Sequence, residues 1–368
     1  MSEVNNDALI NKACSVEDEP LSHNKLLDIV HKFESVQDKQ LVSQILDADN
    51  SDDFTLQFIK QHEEFIDSDE NKRVRVCHNF SRSNINDVKD LYICLPGLGG
   101  SLDQFLPLMK LCDLFGKSFL AIDVFGFGKS DELDQYPMSD IVKKLHTLIM
   151  NILTEYNIKK SQTIHLVGHS MGCYLSLHLF TKFNKEWSIS HLILLAPPAP
   201  TVTNLGKDNR LAQWTLKTLY RVPWLVTFYR EWFDQSKGLN SSGIQNFFHQ
   251  RESKNDDDIE NVSLRYLKLV QYYNNVQIKS KSLLGYLLGW DPLDWNQINK
   301  SIKESHTEVI IISGEFDKVT DAKCANDVKN SFEEEVELIT IPNCAHTITF
   351  DASREVCNIF VNKVFSQD

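Results

Sequence analysis

No stretch of this 368-residue chain approaches the roughly 20 consecutive apolar residues that a membrane-spanning helix requires. Excess positive charge is also missing, since the formal net charge is −13. A protein that grips nucleic acid needs a basic face to displace counterions from phosphates, so no nucleic-acid partner is expected. With 14 glycines and 10 prolines, the chain is too poor in both for a collagenous or low-complexity protein. The eight cysteines form no Cys-x-x-Cys pair and no His/Cys cluster at metal spacing, so neither a metal nor a cofactor is expected. Several lie in apolar runs, Cys94 in Leu-Tyr-Ile-Cys-Leu among them, where a thiol behaves as a small hydrophobe. Reduced thiols fit an intracellular, cytoplasmic protein. Met1 to Pro20 lacks both the basic and apolar regions of a secretory signal and the arginine-rich character of a mitochondrial presequence.

What the chain does have is 42% hydrophobic and 24% charged residues, enough to bury a large core. Its acidity is uneven. Residues 1–70 hold 17 acidic and 5 basic side chains, while the rest hold 34 and 33. Residues 1–69 therefore read as an acidic N-terminal extension, partly helical. Within it, 1–20 reads as disordered, apolar positions from Asn24 to Leu46 recur at mostly helical spacing, and a second helix is expected over Phe54–Phe65.

Beyond this, strand and helix patterns alternate. Strands are expected at Arg73–Phe80, Leu91–Leu95, Ser118–Val124, Thr163–Val167 and Leu192–Leu195, with helices at Ser139–Tyr156 and Gly172–Phe183. Such alternation implies βαβ units and a parallel sheet whose central strands are buried on both faces. The pattern breaks at Pro197-Pro198, and residues 201–305 read as a helical, aromatic-rich insertion. It resumes with a strand Val309–Ser313, a helix Asp321–Ser331, a strand Val336–Ile341 and a last helix Arg354–Phe365. The expected organisation is thus a core over 70–200 and 306–368, a helical cap over 201–305, and the extension.

The strongest local signal is Gly168-His169-Ser170-Met171-Gly172, between an expected strand and an expected helix. Such a strand–turn–helix holds the serine strained and exposed, and its glycines admit close approach of neighbouring backbone. The same string also occurs as an ordinary strand–helix turn. A serine hydroxyl needs a base that is itself oriented. Glu315 and Asp317 follow one downstream strand and His346 follows the next, at carboxyl ends of strands where catalytic groups of open parallel sheets gather. The chain order Ser170, Asp317, His346 is nucleophile, acid, base. His165 and His169 flank the elbow and read as strand and packing residues.

On these motifs residues 70–368 resemble the α/β-hydrolase superfamily, in its cap-bearing branch of lipase- and esterase-like serine hydrolases. The resemblance implies a mostly parallel sheet flanked by helices, with Ser170, Asp317 and His346 catalytic. Leu95-Pro96-Gly97-Leu98-Gly99-Gly100 then corresponds to the oxyanion loop, with Pro96 where histidine is common, and the backbone amides of Leu98 and Met171 form the hole. Asp123-Val-Phe-Gly126-Phe-Gly128-Lys-Ser130 matches a family turn in which Asp123 is structural. Asp317 is favoured over Glu315 because it occupies the Gly-x-x-Asp position. Serine at the elbow, where epoxide hydrolases and dehalogenases place aspartate, implies acyl transfer through an acyl-enzyme. The string His346-Thr-Ile-Thr-Phe-Asp351 also resembles a branch of lipid-droplet lipase activators and lysophospholipid acyltransferase-like proteins, although Asp351 also reads as a plain helix cap.

The insertion carries 14 basic and 11 acidic residues in an acidic protein. Its aromatics interleave with Lys217, Arg221 and Arg230, which suits contact with a membrane or lipid-droplet surface; the same rings would equally bury the cap or line an acyl pocket. Either use predicts a hydrophobic acyl-ester substrate. Three activities follow: ester hydrolysis, acyl transfer to an alcohol or lysophospholipid through the same serine, or lipid binding without catalysis on a hydrolase scaffold.

Overall fold

The computed structural model describes residues 5–16, 27–31, 56–80, 90–158, 162–201, 210–249 and 259–367. Eight strands form one sheet: β1 (Glu63–Asp67), β2 (Arg73–His78), β3 (Asp90–Leu95), β4 (Ser118–Ile122), β5 (Thr163–His169), β6 (Ser188–Leu195), β7 (Glu308–Gly314) and β8 (Glu337–Ile341). Their spatial order is β1-β2-β4-β3-β5-β6-β7-β8. β1 and β2 pair antiparallel, as do β2 and β4, and every later pair is parallel. The chain reverses its winding between β4 and β5, leaving a crevice beyond the carboxyl ends of β3 and β5, where open α/β sheets bind ligands.

Side chains of the central strands serve two cores alternately. Tyr92 and Cys94 of β3 pack on one face and Leu91 and Ile93 on the other. This is the period-two alternation of a sheet covered on both sides. The helices Met138–Glu155 and Met171–Phe183 cover one face. Leu106–Leu114 and the C-terminal helix beginning at Ser353 cover the other.

The helix Leu106–Leu114 was not expected from sequence; it is mostly apolar, and Lys110 and Asp113 are too few to mark a helical period, because nearly every residue in it is buried. Two expectations for the N-terminal segment need correction. Asn6–Cys14, read as disordered, is a helix capped by Asn5, with Ile10 and Ala13 buried on the core. Its last residue places Cys14 Sγ 3.7 Å from Cys357 Sγ, so the first helix seats beside the last. The helix expected over Phe54–Phe65 stops at His62, and Phe65 lies in edge strand β1. Of the helix expected over Asn24–Leu46, only 27–31 is described, and it is helical; the remainder lies outside the described residues.

Between β6 and β7 the chain forms the helices Arg210–Arg221, Trp224–Tyr229, Ile259–Gln277, Ser280–Gly289 and Trp295–Ser305. Glycine seats them on the core. A methyl carbon on Gly289 would lie 1.8 Å from the Tyr136 carbonyl oxygen, so only a bare Cα fits there. Tyr136 and Tyr286 complete the seam, bonded to Ser282 Oγ at 2.8 Å and the Phe125 carbonyl at 3.0 Å.

Candidate active site

β5 runs into the helix Met171–Phe183 with one residue between them, Ser170, at φ 51° and ψ −118°. That region costs a non-glycine residue on the order of 1–3 kcal/mol, so its surroundings must impose it. They do so through backbone contact. A methyl carbon on Gly168 would lie 2.4 Å from the Gly172 carbonyl oxygen, and one on Gly172 would lie 2.0 Å from the Leu95 carbonyl oxygen. The Ser170 N–H also donates to the Leu195 carbonyl at 2.8 Å. Both glycines of the motif are therefore steric requirements of the turn.

Across the crevice, His346 Nδ1 lies 2.8 Å from Asp317 Oδ2, with both side chains buried. A carboxylate at that distance accepts the Nδ1 proton and leaves Nε2 as the basic nitrogen. The other carboxylate oxygen accepts the Val319 and Thr320 amides, each at 2.8 Å. Thr320 Oγ1 sits 2.8 Å from Asp317 Oδ2 and 3.2 Å from His346 Nδ1. Burial alone would raise the Asp317 pKa, but the His346 and Thr320 bonds outweigh it and hold the carboxyl below its usual range. Glu315 is exposed and its carboxylate accepts the Asn343 amide, so it takes no part in this pair.

Ser170, His346, Leu98 and Met171 all line one cavity of about 330 Å³, within the size range of small-ligand sites. Among the described residues, the backbone amides of Leu98 and Met171 have no acceptor. The loop bearing Leu98 is anchored by a buried ion cluster. Arg75 pairs with Glu63, Asp103 and Asp123, the last two at 3.0 and 3.3 Å. Burial disfavours its charge, but the three carboxylates raise its pKa above the usual value. Asp123 accepts the Leu102 amide at 2.6 Å and the Lys129 amide at 2.9 Å, the organising role read from its motif.

His165 lies within β5 and stacks on Tyr92, away from the cavity. His169 places Nε2 2.9 Å from the His346 carbonyl, so its N–H donates there and steadies the loop that carries His346. Burial, and the nearby His346, depress its pKa to about 3, which keeps the ring neutral.

Several contributors were not read from sequence. Thr320 is one; its Asp-x-x-Thr spacing is the signal that would have found it. Asp351 does not cap a helix N-terminus. Its Oδ2 accepts the Ala345 amide at 2.7 Å and the His249 amide at 3.0 Å, tying the loop before His346 to the cap. The Thr347 amide donates to the Phe247 carbonyl at 3.0 Å, and the Phe247 ring packs edge-on against His346. Arg230, grouped with the surface cations by sequence, instead turns inward and donates to the Ile278 and Asn275 carbonyls.

A family model of the alpha/beta hydrolase fold matches residues 92–353. Lipid droplet hydrolase 1 of Saccharomyces cerevisiae is 37% identical over 364 residues, covering 94% of each chain. Probable lysophospholipase BODYGUARD 1 of Arabidopsis thaliana is 36% identical over 80 residues, 22% of this chain and 16% of that protein. Among solved structures, an esterase from Exiguobacterium antarcticum superposes with a TM-score of 0.56 at 14% identity, covering 82% of this chain and 98% of that one. A membrane phospholipase A described as a bacterial virulence factor gives a TM-score of 0.53 at 13% identity, covering 88% and 93%.

Proposed function

Because the chain belongs to the alpha/beta hydrolase family, we propose that it is a serine hydrolase cleaving carboxylic esters of hydrophobic, lipid-like acyl substrates. The observation that carries this reading is one cavity shared by a serine on a strained elbow and an imidazole fixed by a buried carboxylate. His346 Nε2 takes the Ser170 proton as Oγ attacks the ester carbonyl. The amides of Leu98 and Met171 meet the oxygen as it becomes negative, an interaction worth about 3 kcal/mol per donor. His346 then returns its proton to the leaving alcohol, and water, activated the same way, releases the acid. Asp317 keeps the imidazole in the working tautomer throughout.

The lipid character of the substrate is supported by the name of the yeast relative and by the cap. Eight of the ten exposed large hydrophobic side chains among the described residues fall between Leu211 and Phe233, Trp214, Trp224 and Trp232 among them. Lys217 and Arg221 are exposed in the same stretch. This surface suits a membrane or lipid droplet, where aromatic rings sit at headgroup depth. The chain would divide into a core of 70–200 and 306–368, this cap of 201–305, and the acidic extension of 1–69. No helix among the described residues is long and apolar enough to cross a membrane.

Fluorophosphonate labelling and p-nitrophenyl ester turnover test the assignment together. Wild type should label at Ser170 and turn over, while Ser170→Ala should lose the label and at least about 1,000-fold in kcat. Equal turnover by the variant would reject the serine mechanism.

A further inference from the structure

Two thiols from opposite ends of the chain meet on the far side of the sheet from the helix that follows Ser170. Cys14 ends the helix Asn6–Cys14, Cys357 lies in the helix beginning at Ser353, and their sulfurs are 3.7 Å apart. The contact is held in place from both sides. Ile10 and Ala13 are buried on the core, and Lys110 Nζ donates to the Ser15 carbonyl at 2.8 Å. A disulfide needs about 2 Å between sulfurs, so the gap that remains asks for rotation of the two side chains.

The two sulfurs are not equivalent. Cys357 is fully buried, whereas Cys14 is half-buried. The Cys357 thiol, with Ser353 and Arg354 beside it, holds the Cys14 pKa below that of an ordinary thiol, although burial opposes this. The same contact, together with burial, pushes the Cys357 pKa well up, so Cys357 keeps its proton when Cys14 loses its own. Oxidants attack the thiolate, and only where solvent brings them to it. Cys324, the other half-buried thiol, is pushed the opposite way by burial and by Asp321. Cys77, Cys94, Cys112, Cys173 and Cys344 are buried. Neither Cys14 nor Cys357 lines the Ser170 cavity, so ester chemistry gives the pair no task.

We propose that Cys14 and Cys357 form a reversible redox site, in which a hydroperoxide oxidises Cys14 and Cys357 closes a disulfide that clamps the first helix to the last. The Cys14 sulfur attacks the terminal peroxide oxygen, forming an S–O bond as the O–O bond breaks. The departing alkoxide or hydroxide takes a proton from water, leaving a sulfenic acid on Cys14 and an alcohol or water. The Cys357 sulfur then attacks the Cys14 sulfur, forming S–S as S–O breaks, and its proton leaves with the hydroxyl as water. Two thiols are oxidised and one peroxide is reduced. The bond joins residues 343 apart, so nearly the whole chain lies inside the loop it closes. Cross-links that close long loops restrict the unfolded chain most. In a reducing compartment such a bond is transient and reports oxidation.

The test treats reduced full-length protein with hydrogen peroxide in one arm and a fatty-acid hydroperoxide in the other, then maps linked peptides by mass spectrometry after alkylation. Wild type should give a Cys14–Cys357 linked peptide in at least one arm, lost on adding dithiothreitol, and the linked form should melt about 5 °C above the reduced one. Cys357→Ala should stop at the sulfenic acid, so that dimedone labels Cys14. Cys14→Ser should leave Cys357 unlabelled. No linked peptide in either arm would overturn the site, as would Cys357 linked to Cys112 in place of Cys14. Dimedone on Cys357 in Cys14→Ser, with none on Cys14 in Cys357→Ala, would overturn the order of attack. Linked protein that melts no higher than reduced protein would overturn the clamp.

Discussion

The floor of the cavity and the outer cap, here called the roof, are built by opposite rules. At the floor, Gly168 and Gly172 are fixed by backbone atoms between 2.0 and 2.9 Å from where a side chain would begin. In the outer cap, between Leu211 and Phe233, large apolar side chains stand 41–70% exposed, and the rings of Phe228 and Tyr229 pack on Trp232 and Phe233 of the same helical stretch. A side chain added at Gly168 or Gly172 must displace backbone, whereas an exposed ring of the roof can be exchanged without doing so. A rigid base therefore supplies geometry, and a loosely determined cover supplies contact with whatever lies outside.

That contrast can be broken from either side. Its sharpest test is Gly172→Ala, which drives a methyl group into the Leu95 carbonyl. We expect a loss of about 3 kcal/mol or more in thermal or urea unfolding, with ester turnover lost in parallel. A variant as stable as wild type would show the floor to be softer than described.

The buried His169 gives the floor a pH signature. Its folded pKa is lowered to about 3 from an ordinary 6.5, so the unfolded chain binds a proton that the folded one refuses. Stability should therefore fall as pH drops through about 6.5 and continue falling toward about 3, by at most about 1.4 kcal/mol per pH unit for this group. Unfolding curves of His169→Gln should show a shallower acid slope.

Asp351 joins the loop before His346 to the insertion at His249. Asp351→Ala releases the Ala345 and His249 amides, at a cost of about 1–3 kcal/mol, and should lower kcat about tenfold through a loosened His346. Asp351→Asn, which keeps an acceptor oxygen, should recover part of both losses. If Asp351→Ala leaves kcat unchanged, the cap and the His346 loop are independent. The smallest effect belongs to the roof. Trp214→Ser with Trp224→Ser should change stability by less than about 0.5 kcal/mol. Turnover of an emulsified long-chain ester should fall about threefold more than that of a soluble short-chain one. Equal falls would remove the lipid-surface role.

The same contrast explains what was legible in the sequence. Strands β3 to β8 announced themselves because apolar runs between helical patterns have few other uses, and the family's chain order linked Ser170, Asp317 and His346 across 177 residues. Leu106–Leu114 escaped because burial on all sides erases helical periodicity. β1 escaped because edge strands carry mixed residues, here Glu-Glu-Phe-Ile-Asp. Arg230 and Asp351 were misread for another reason: their partners Ile278, Asn275 and His249 lie far away in the chain, and no local pattern records them.

The seating of Asn6–Cys14 beside Cys357 has a consequence for biosynthesis. Asn6–Cys14 also packs on the helix Leu106–Leu114, but its second seat is a helix synthesised 343 residues after it. Until that helix is made, Ile10 and Ala13 can join only part of the surface that buries them. Their seat is thus completed late, however early they are made.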